Sequence, residues 1–297
     1  MSPLIPSTRT IALMNQKGGV GKSTTAVNLA AGVAMLGRKT LLIDLDPQAH
    51  ASLHLGVGGD DGPTAYDLLT DSTIKLSQAV VKARENLWVL PAVTDMAGVE
   101  TELADDEQRV LKLRRAIEAS ELQFEFIFID CPPSLGVLTL NGLAAAREVF
   151  IPMQAQFLAL QGLSELLKTV KLMGQNVNPN LRVTGVVLCV HDGTTSHSKE
   201  VVAEMDNFFE ASRNTTEPWR SARVYRPAVR RNVKLAEAPS FGKSIFEYEP
   251  TCPGAQDYSK LAGTLVAEWD SLRDRMAGKV VVTPGINVGE TQRSATV

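Results

Sequence analysis

The stretch Gln16-Lys17-Gly18-Gly19-Val20-Gly21-Lys22-Ser23-Thr24 follows the apolar run 11–14 and opens an alanine- and leucine-rich segment. Glycines let backbone N–H groups turn towards one point, and the start of a helix adds partial positive charge there. In such loops, a lysine like Lys22 reaches terminal phosphates and a hydroxyl like that of Ser23 ligates Mg²⁺. This setting favours a phosphate site over a simple glycine turn. Its predicted residues are Gly18, Gly19, Val20, Gly21, Lys22, Ser23 and Thr24.

Short apolar runs alternate with longer helical patterns along the rest of the chain. The runs 41–43 and 126–129 are apolar throughout, which is typical of strands buried on both faces of a parallel sheet. Segments 22–36, 107–120 and 258–272 carry apolar residues at helical spacing. The alternation predicts an α/β fold with a doubly wound, mostly parallel sheet flanked by helices. The predicted strands are residues 10–15, 40–44, 87–91, 126–130, 149–152, 183–190 and 223–229.

Composition narrows the class of protein. The chain has 297 residues, of which 44% are apolar and 21% charged, with a net charge of −3. These values exclude a wholly disordered chain and a globally basic nucleic-acid binder. The three cysteines are widely spaced, which indicates a reducing, cytoplasmic setting rather than a disulfide framework. No apolar run approaches the roughly 18 residues of a membrane span, so we expect no membrane partner.

The domain organisation follows from the same patterns. We expect one domain over residues 10–276, preceded by a short extension at 1–9. Residues 277–297 include Pro284 and little periodicity, which predicts a flexible tail. The polar, breaker-rich segment 212–221 is predicted to be a surface loop.

The phosphate loop departs from the usual pattern G-x-x-x-x-G-K-[ST], because Gln16 replaces the first glycine and Lys17 follows it. Lys-Gly-Gly-x-Gly-Lys-[Ser/Thr] resembles the deviant Walker A motif of the ParA/MinD family of P-loop ATPases, in particular the small, chromosome-type (Soj-like) ParA proteins. In that family the additional lysine reaches the phosphates across a nucleotide-sandwich dimer. The resemblance therefore assigns this role to Lys17, and it implies ATP and Mg²⁺ as cofactors.

Carboxylates follow two predicted strands, in segments 41–48 and 126–133 that match the family in order and spacing. Strand ends face the ligand crevice in open α/β sheets, where a carboxylate can orient water or hold Mg²⁺. The resemblance assigns Asp46 to the hydrolytic water and Asp44 to a supporting Mg²⁺ or orienting role. It places Asp130 near Mg²⁺, through water, together with Ser23. The predicted catalytic residues are Lys17, Asp46, Lys22 and Asp44. A turn or capping role remains the alternative for Asp44 and Asp46.

Later segments, 149–154, 232–240 and 242–245, also match the family, so the likeness covers residues 10–272. In Soj-like proteins the segment that corresponds to 232–239 lies by the adenine base. The resemblance therefore places Asn232 and Pro239 near the base as further ATP-binding residues.

Residues 220–234 carry six positive charges and no acid. Binding of DNA there would be phosphate-directed, non-specific and salt-dependent, as the family resemblance implies. The alternative is that these residues form a solvated surface, or that an arginine among them has a structural role. Thr194 stands where Soj-like proteins often carry a DNA-binding arginine. The predicted DNA-binding residues are Arg220, Arg223, Arg226, Arg230, Arg231 and Lys234.

The resemblance implies a slow, partner-stimulated, Mg²⁺-dependent ATPase that segregates chromosome or plasmid DNA. The expected partners are a second copy of the chain, non-specific DNA, and a ParB-like or other cargo-adaptor protein. The expected location is cytoplasmic and nucleoid-associated. The alternatives are a same-fold ATPase that positions a non-DNA cargo, a MinD-like membrane switch, and a small-molecule metabolic ATPase. The sequence does not identify the cargo.

Overall fold

The computed structural model describes residues 8–58, 62–156, 159–193 and 195–277. Its strands are β1 Arg9–Leu13, β2 Thr40–Asp44, β3 Val81–Arg84, β4 Leu87–Leu90, β5 Phe126–Asp130, β6 Glu148–Met153, β7 Arg182–Leu188 and β8 Arg223–Tyr225. They form one sheet in the order β3-β4-β2-β5-β1-β6-β7-β8. Every neighbouring pair is parallel except β3 and β4.

Helices cover both faces of this sheet. The α-helices are α1 Lys22–Met35, α2 His50–His54, α3 Ala65–Thr70, α4 Leu76–Ala79, α5 Val99–Glu102, α6 Lys112–Glu118, α7 Val137–Ala145, α8 Ala159–Asn176, α9 Ser196–Ser212, α10 Val233–Glu237, α11 Ile245–Tyr248 and α12 Pro253–Met276. Two 3₁₀ turns, Thr94–Gly98 and Ala238–Phe241, complete the described elements. In the described part of the chain, no helix is both long enough and apolar enough to cross a lipid bilayer.

The alternation of side chains explains the apolar run 11–14 at the end of β1. Ile11 and Leu13 pack in the core beneath α1 and α12, whereas Ala12 and Met14 pack in the core on the opposite face. Successive side chains of a strand point to opposite faces, so a run that is covered on both sides is apolar at consecutive positions. The predicted doubly wound, mostly parallel sheet is confirmed.

The strand boundaries differ from the prediction at the edges of the sheet. The predicted strand 223–229 ends at Tyr225, since Pro227 has no N–H to donate to a ladder. β7 ends at Leu188, and Val190 has a φ of 50° outside the extended region. β3 was not predicted, because its half-buried sequence Val-Lys-Ala-Arg carries the charges of an edge strand rather than a core strand.

Two described elements differ from the predicted limits. The predicted helix 107–120 is shorter, with α6 at Lys112–Glu118. β1 begins at Arg9, within the predicted extension, and α12 ends at Met276. The predicted loop 212–221 joins α9 to β8. Residues 1–7, residues 278–297 of the predicted tail, and Thr194 lie outside the described residues.

Candidate nucleotide-binding site

The loop between β1 and α1 has the backbone that its glycines predict. Gly19 and Gly21 have φ values of 72° and 94°, in the left-handed region that favours glycine. A Cβ on Gly21 would also lie 3.1 Å from Cys189 Cβ, whereas one on Gly18 would meet no atom within 4 Å. The loop therefore turns tightly over the end of β7 and leaves open space on its outer side.

Hydrogen bonds of the Asn15 side chain, just after β1, anchor the start of this loop. Asn15 Oδ1 accepts from the Lys17 backbone N–H at 2.9 Å, and Asn15 Nδ2 donates to the Pro152 carbonyl at 2.7 Å. The end of β1 is thus joined to the end of β6. This contact fixes where the loop leaves the sheet.

Lys22 lies between the carboxylates that follow β2 and end β5. Its Nζ is 2.8 Å from Asp130 Oδ1 and 3.6 Å from Asp46 Oδ2, and all three side chains are buried. Burial lowers the pKa of Lys22, but the Asp130 and Asp46 charges outweigh it and leave that pKa above its ordinary value. Burial raises the pKa of Asp130, and Lys22 opposes this rise. The ammonium is charged and is positioned beneath the phosphate loop.

Asp44 holds the connection after β2 in place. Its carboxylate accepts from the Asp46 backbone N–H at 3.0 Å, and from the Ser52 N–H and hydroxyl at 2.9 and 2.8 Å. Burial and the Asp130 charge raise the pKa of Asp44 to about 7, and the Ser52 hydrogen bonds oppose them. This geometry favours an orienting role for Asp44 over direct contact with a ligand.

The residues predicted to hold Mg²⁺ fit a divalent cation. Asp130 Oδ2 is buried and has no hydrogen-bond partner of good geometry among the described residues. The Ser23 hydroxyl is near enough to lower the pKa of the same carboxyl. Carboxylate and hydroxyl oxygens with water are the ligands that Mg²⁺ prefers. Ser23 and Asp130 would therefore hold Mg²⁺, directly or through water.

A cavity of about 540 Å³ lies beside the loop. Its lining brings Lys17, Lys22 and Asp46 together with Pro239, whereas Asn232 caps α10 and does not line it. Its lining residues are Lys17, Gly18, Gly19, Gly21, Lys22, Ser23, Thr24, Asp46, Gln48, His50, Leu53, His54, Pro133, Pro239 and Ser240. The predicted site did not include the α2 residues, because nothing in their sequence indicates a phosphate or base contact.

Lys17 occupies a different environment from Lys22. It is exposed, and its Nζ donates to Gln156 Oε1 at 2.8 Å, on the side of β6. Lys17 and Lys22 are five residues apart in the phosphate loop and differ in environment. Lys22 is buried between two carboxylates, whereas Lys17 lies at the surface.

The six basic residues predicted to bind DNA do not form one surface. Four are paired with carboxylates: Arg223 with Glu268, Arg226 with Asp206, Arg230 with Asp257, and Lys234 with Glu237. Arg220 and Arg231 are exposed and form no ion pair within the described ranges. Arg223 begins β8, whereas Arg230 pairs with His191 beyond the end of β7. In a parallel sheet these positions are at opposite ends, so Arg230, Arg231 and Lys234 share the end that carries the phosphate loop.

Comparisons with known proteins agree with this architecture. Residues 8–183 match the family described as "AAA domain". The chromosome-partitioning ATPase Soj of Treponema pallidum is 43% identical over 259 residues, 87% of this chain and 97% of that protein. The sporulation initiation inhibitor protein Soj of Bacillus subtilis is 42% identical over 258 residues, 86% of this chain and 98% of that protein. Cobyrinic acid a,c-diamide synthase of Mycobacterium smegmatis, solved with an ATP analogue and magnesium, has a TM-score of 0.73 and 34% identity, covering 89% of this chain and 96% of that one.

The parallel sheet, the loop after β1 and the carboxylates after β2 and β5 define a P-loop ATPase of the deviant Walker A type. The chain belongs to the ParA family of Soj-like chromosome-partitioning ATPases. The family resemblance predicted from the phosphate loop is confirmed. The predicted cofactors, ATP and Mg²⁺, agree with the ligands of the solved neighbour.

Proposed function

We propose that the chain is an ATP-driven partition switch whose ATP-bound dimer binds nucleoid DNA and is released by partner-stimulated hydrolysis. The observation that carries this proposal is the separation of the two loop lysines. Lys22 is buried against Asp130 and Asp46, where it serves its own nucleotide, while Lys17 lies exposed at the surface. An exposed lysine on a phosphate loop is suited to contact a nucleotide held by a second copy of the chain.

The loop binds the phosphates of ATP through its backbone N–H groups, and Lys22 supplies a point charge to them. Bound Mg²⁺ would neutralise phosphate charge, held by Ser23 and Asp130. Lys22 must then divide its hydrogen bonds between the phosphates and the Asp130 carboxylate. ATP binding is therefore expected to loosen the contact that now joins α1 to the end of β5.

Asp46 orients the attacking water. Its Oδ1 already accepts from the Gln48 backbone N–H at 3.0 Å, and its Oδ2 lies 3.6 Å from Lys22 Nζ. Because Lys22 already engages this carboxylate, Asp46 is not free to hold the attacking water, so slow turnover is expected until a partner rearranges the group. A ParB-like protein or another cargo adaptor is the expected partner.

DNA binding would depend on positive side chains that are not already paired with carboxylates of the protein. Arg231 and Arg220 form no described ion pair and are exposed, so their charges are available to phosphates. Contacts of this kind are non-specific and weaken with salt. The cargo would be chromosome or plasmid DNA, as the names of the Soj relatives indicate for those proteins.

Three variants test the switch by sedimentation, DNA binding and phosphate release. Lys22→Ala is expected to lose ATP binding and with it dimerisation and DNA binding. Lys17→Ala should keep ATP binding but lose dimerisation, and Asp46→Ala should dimerise on ATP without turnover. Full DNA binding and ATPase rate in Lys22→Ala would refute the nucleotide switch.

A small-molecule metabolic ATPase is the second candidate, favoured by the 34% identical cobyrinic acid a,c-diamide synthase neighbour. ATP turnover by such an enzyme would depend on a small carboxylic acid and an amine donor. The partition switch would instead respond to DNA and a protein partner. Phosphate release measured with each addition separates the two functions.

A further inference from the structure

Three hydrogen bonds join Lys17 back to its own loop through two glutamines. Lys17 Nζ donates to Gln156 Oε1 at 2.8 Å, and Gln156 Nε2 donates to Gln154 Oε1 at 2.6 Å. Gln154 Nε2 then donates to the Gly19 carbonyl at 3.2 Å. We call Gln154 and Gln156 the glutamine latch. The series begins and ends on the phosphate loop, so it closes a ring around the exposed lysine.

The sheet brings the latch to this place. β1 and β6 are parallel neighbours, and their carboxyl ends meet at one edge. The Met14 N–H donates to the Phe150 carbonyl at 3.0 Å, and Asn15 Nδ2 donates to the Pro152 carbonyl at 2.7 Å. Backbone contacts therefore fix the distance between the loop after β1 and the segment after β6. The latch residues lie in that segment.

Lys17 stands between two cavities. It lines the nucleotide cavity, and it also lines a second cavity of about 250 Å³ together with Gln154, Gln156 and residues of β6 and α8. Within the described part of the chain, Lys17 is the residue common to both linings. Its ammonium bonds on the side of the second cavity, and so points away from the nucleotide side.

We propose that Gln156, supported by Gln154, is a positioning residue that holds Lys17 away from the dimer contact in the free protomer. The inference rests on the proposed function, in which Lys17 serves a partner's nucleotide. Dimerisation requires the latch to open in both protomers, so the apparent dimer affinity falls with the square of the fraction of open protomers. The hydrogen bond from Lys17 to Gln156 is weak enough to break on dimerisation, because the amide of Gln156 carries no negative charge.

Amine labelling of the nucleotide-free protomer tests the latch directly. The labelling rate of Lys17 by an activated ester, followed by mass spectrometry, is compared with that of exposed Lys39 in the same sample. Gln156→Ala should raise the Lys17 rate about two- to tenfold and leave Lys39 unchanged. Gln156→Glu should lower it, since a carboxylate adds an ion pair. A Lys17 rate in Gln156→Ala equal to that of the unaltered protein would overturn the proposal.

Sedimentation with a slowly hydrolysed ATP analogue then tests the consequence. Gln156→Ala should dimerise at about four- to hundredfold lower protomer concentration, the square of the change in labelling rate, with unchanged ADP affinity. Gln175→Ala removes an exposed glutamine from the far end of α8 and should change neither property. Faster Lys17 labelling without a shift in dimerisation would overturn the latch as a control of assembly. If the unaltered protein stays monomeric with the analogue bound, the proposed function fails instead, while labelling still reports on the latch.

Discussion

At the scale of single residues, the phosphate loop depends on glycine at one position and tolerates replacement at another. Gly21 has a φ of 94°, and a Cβ there would lie 3.1 Å from Cys189 Cβ. Gly21→Ala should destabilise the protein by about 2 kcal/mol and weaken nucleotide binding, because strain and crowding add. Gly18→Ala is the matched control for stability, since a Cβ there would meet no protein atom within 4 Å. Denaturant unfolding of the two variants measures the difference, and equal losses of stability would contradict this expectation.

Lys22 is expected both to bind ATP and to stabilise the fold, because its ammonium lies between two buried carboxylates. Lys22→Met retains the apolar stem but leaves Asp130 and Asp46 facing each other without their cation. Breaking a buried ion pair from one side costs about 3–5 kcal/mol. Protonation of Asp130, whose pKa is already raised by burial, reduces that cost. We expect lower stability together with lost ATP binding, measured by urea unfolding against an exposed-lysine control, Lys39→Met. An unchanged unfolding midpoint would show that Lys22 does not hold the two strand ends together.

At the scale of elements, the segment between β8 and α10 separates structural from available arginines. Arg230 makes three hydrogen bonds to the carboxylate of Asp257 on α12, at 2.8, 2.9 and 3.1 Å. The neighbouring Arg231 is exposed and has no described ion pair. Arg231→Ala should weaken DNA binding uniformly across sequences and reduce the salt slope by about one unit, with an unchanged melting temperature. Arg230→Ala should lower the melting temperature, because buried Asp257 loses the guanidinium and keeps only the backbone N–H of residue 230. Thermal unfolding and salt-titrated DNA binding on both variants check this division.

At the scale of the whole molecule, stability should depend on pH through a buried histidine. Burial lowers the pKa of His54 to about 4, against hydrogen bonding to the Lys243 backbone and the charge of Glu247, which is paired with Arg84. His54 Nε2 has no hydrogen-bond partner among the residues described. His54 binds a proton near pH 6.5 in the unfolded chain, but only near pH 4 in the folded protein. The contribution of neutral His54 to the free energy of unfolding is therefore fully present above pH 6.5 and is lost as the pH falls towards 4.

This dependence predicts a specific difference between two proteins. The free energy of unfolding should fall between pH 7 and pH 5 by about 2 kcal/mol more in the unaltered protein than in His54→Leu. Denaturant unfolding at both pH values measures it. The comparison with His54→Leu removes the contributions of other titrating groups, which the two proteins share. Parallel pH profiles would show that His54 is not the group responsible.

The sequence by itself determined the class of fold and the centre of the site. Unbroken apolar runs such as residues 126–129 are typical of strands covered on both faces, and the glycine pattern at 18–21 indicates a tight loop. Such local rules can be read along the chain. The resemblance to the ParA/MinD family, together with the rule that parallel strands end at one edge, placed Lys22, Asp46 and Asp130 in one predicted site.

The tertiary structure alone decided which charges are available and what surrounds Lys17. Residues 220–234 contain no acid, yet Asp206 on α9 and Asp257 and Glu268 on α12 form ion pairs with arginines of this segment. Each of these pairs joins residues at least 20 positions apart along the chain. Gln156 is 139 positions from Lys17 along the chain, and only the pairing of β1 with β6 brings them together. Charge runs and loop motifs are local properties, whereas pairing depends on side chains that the fold brings together from distant parts of the chain.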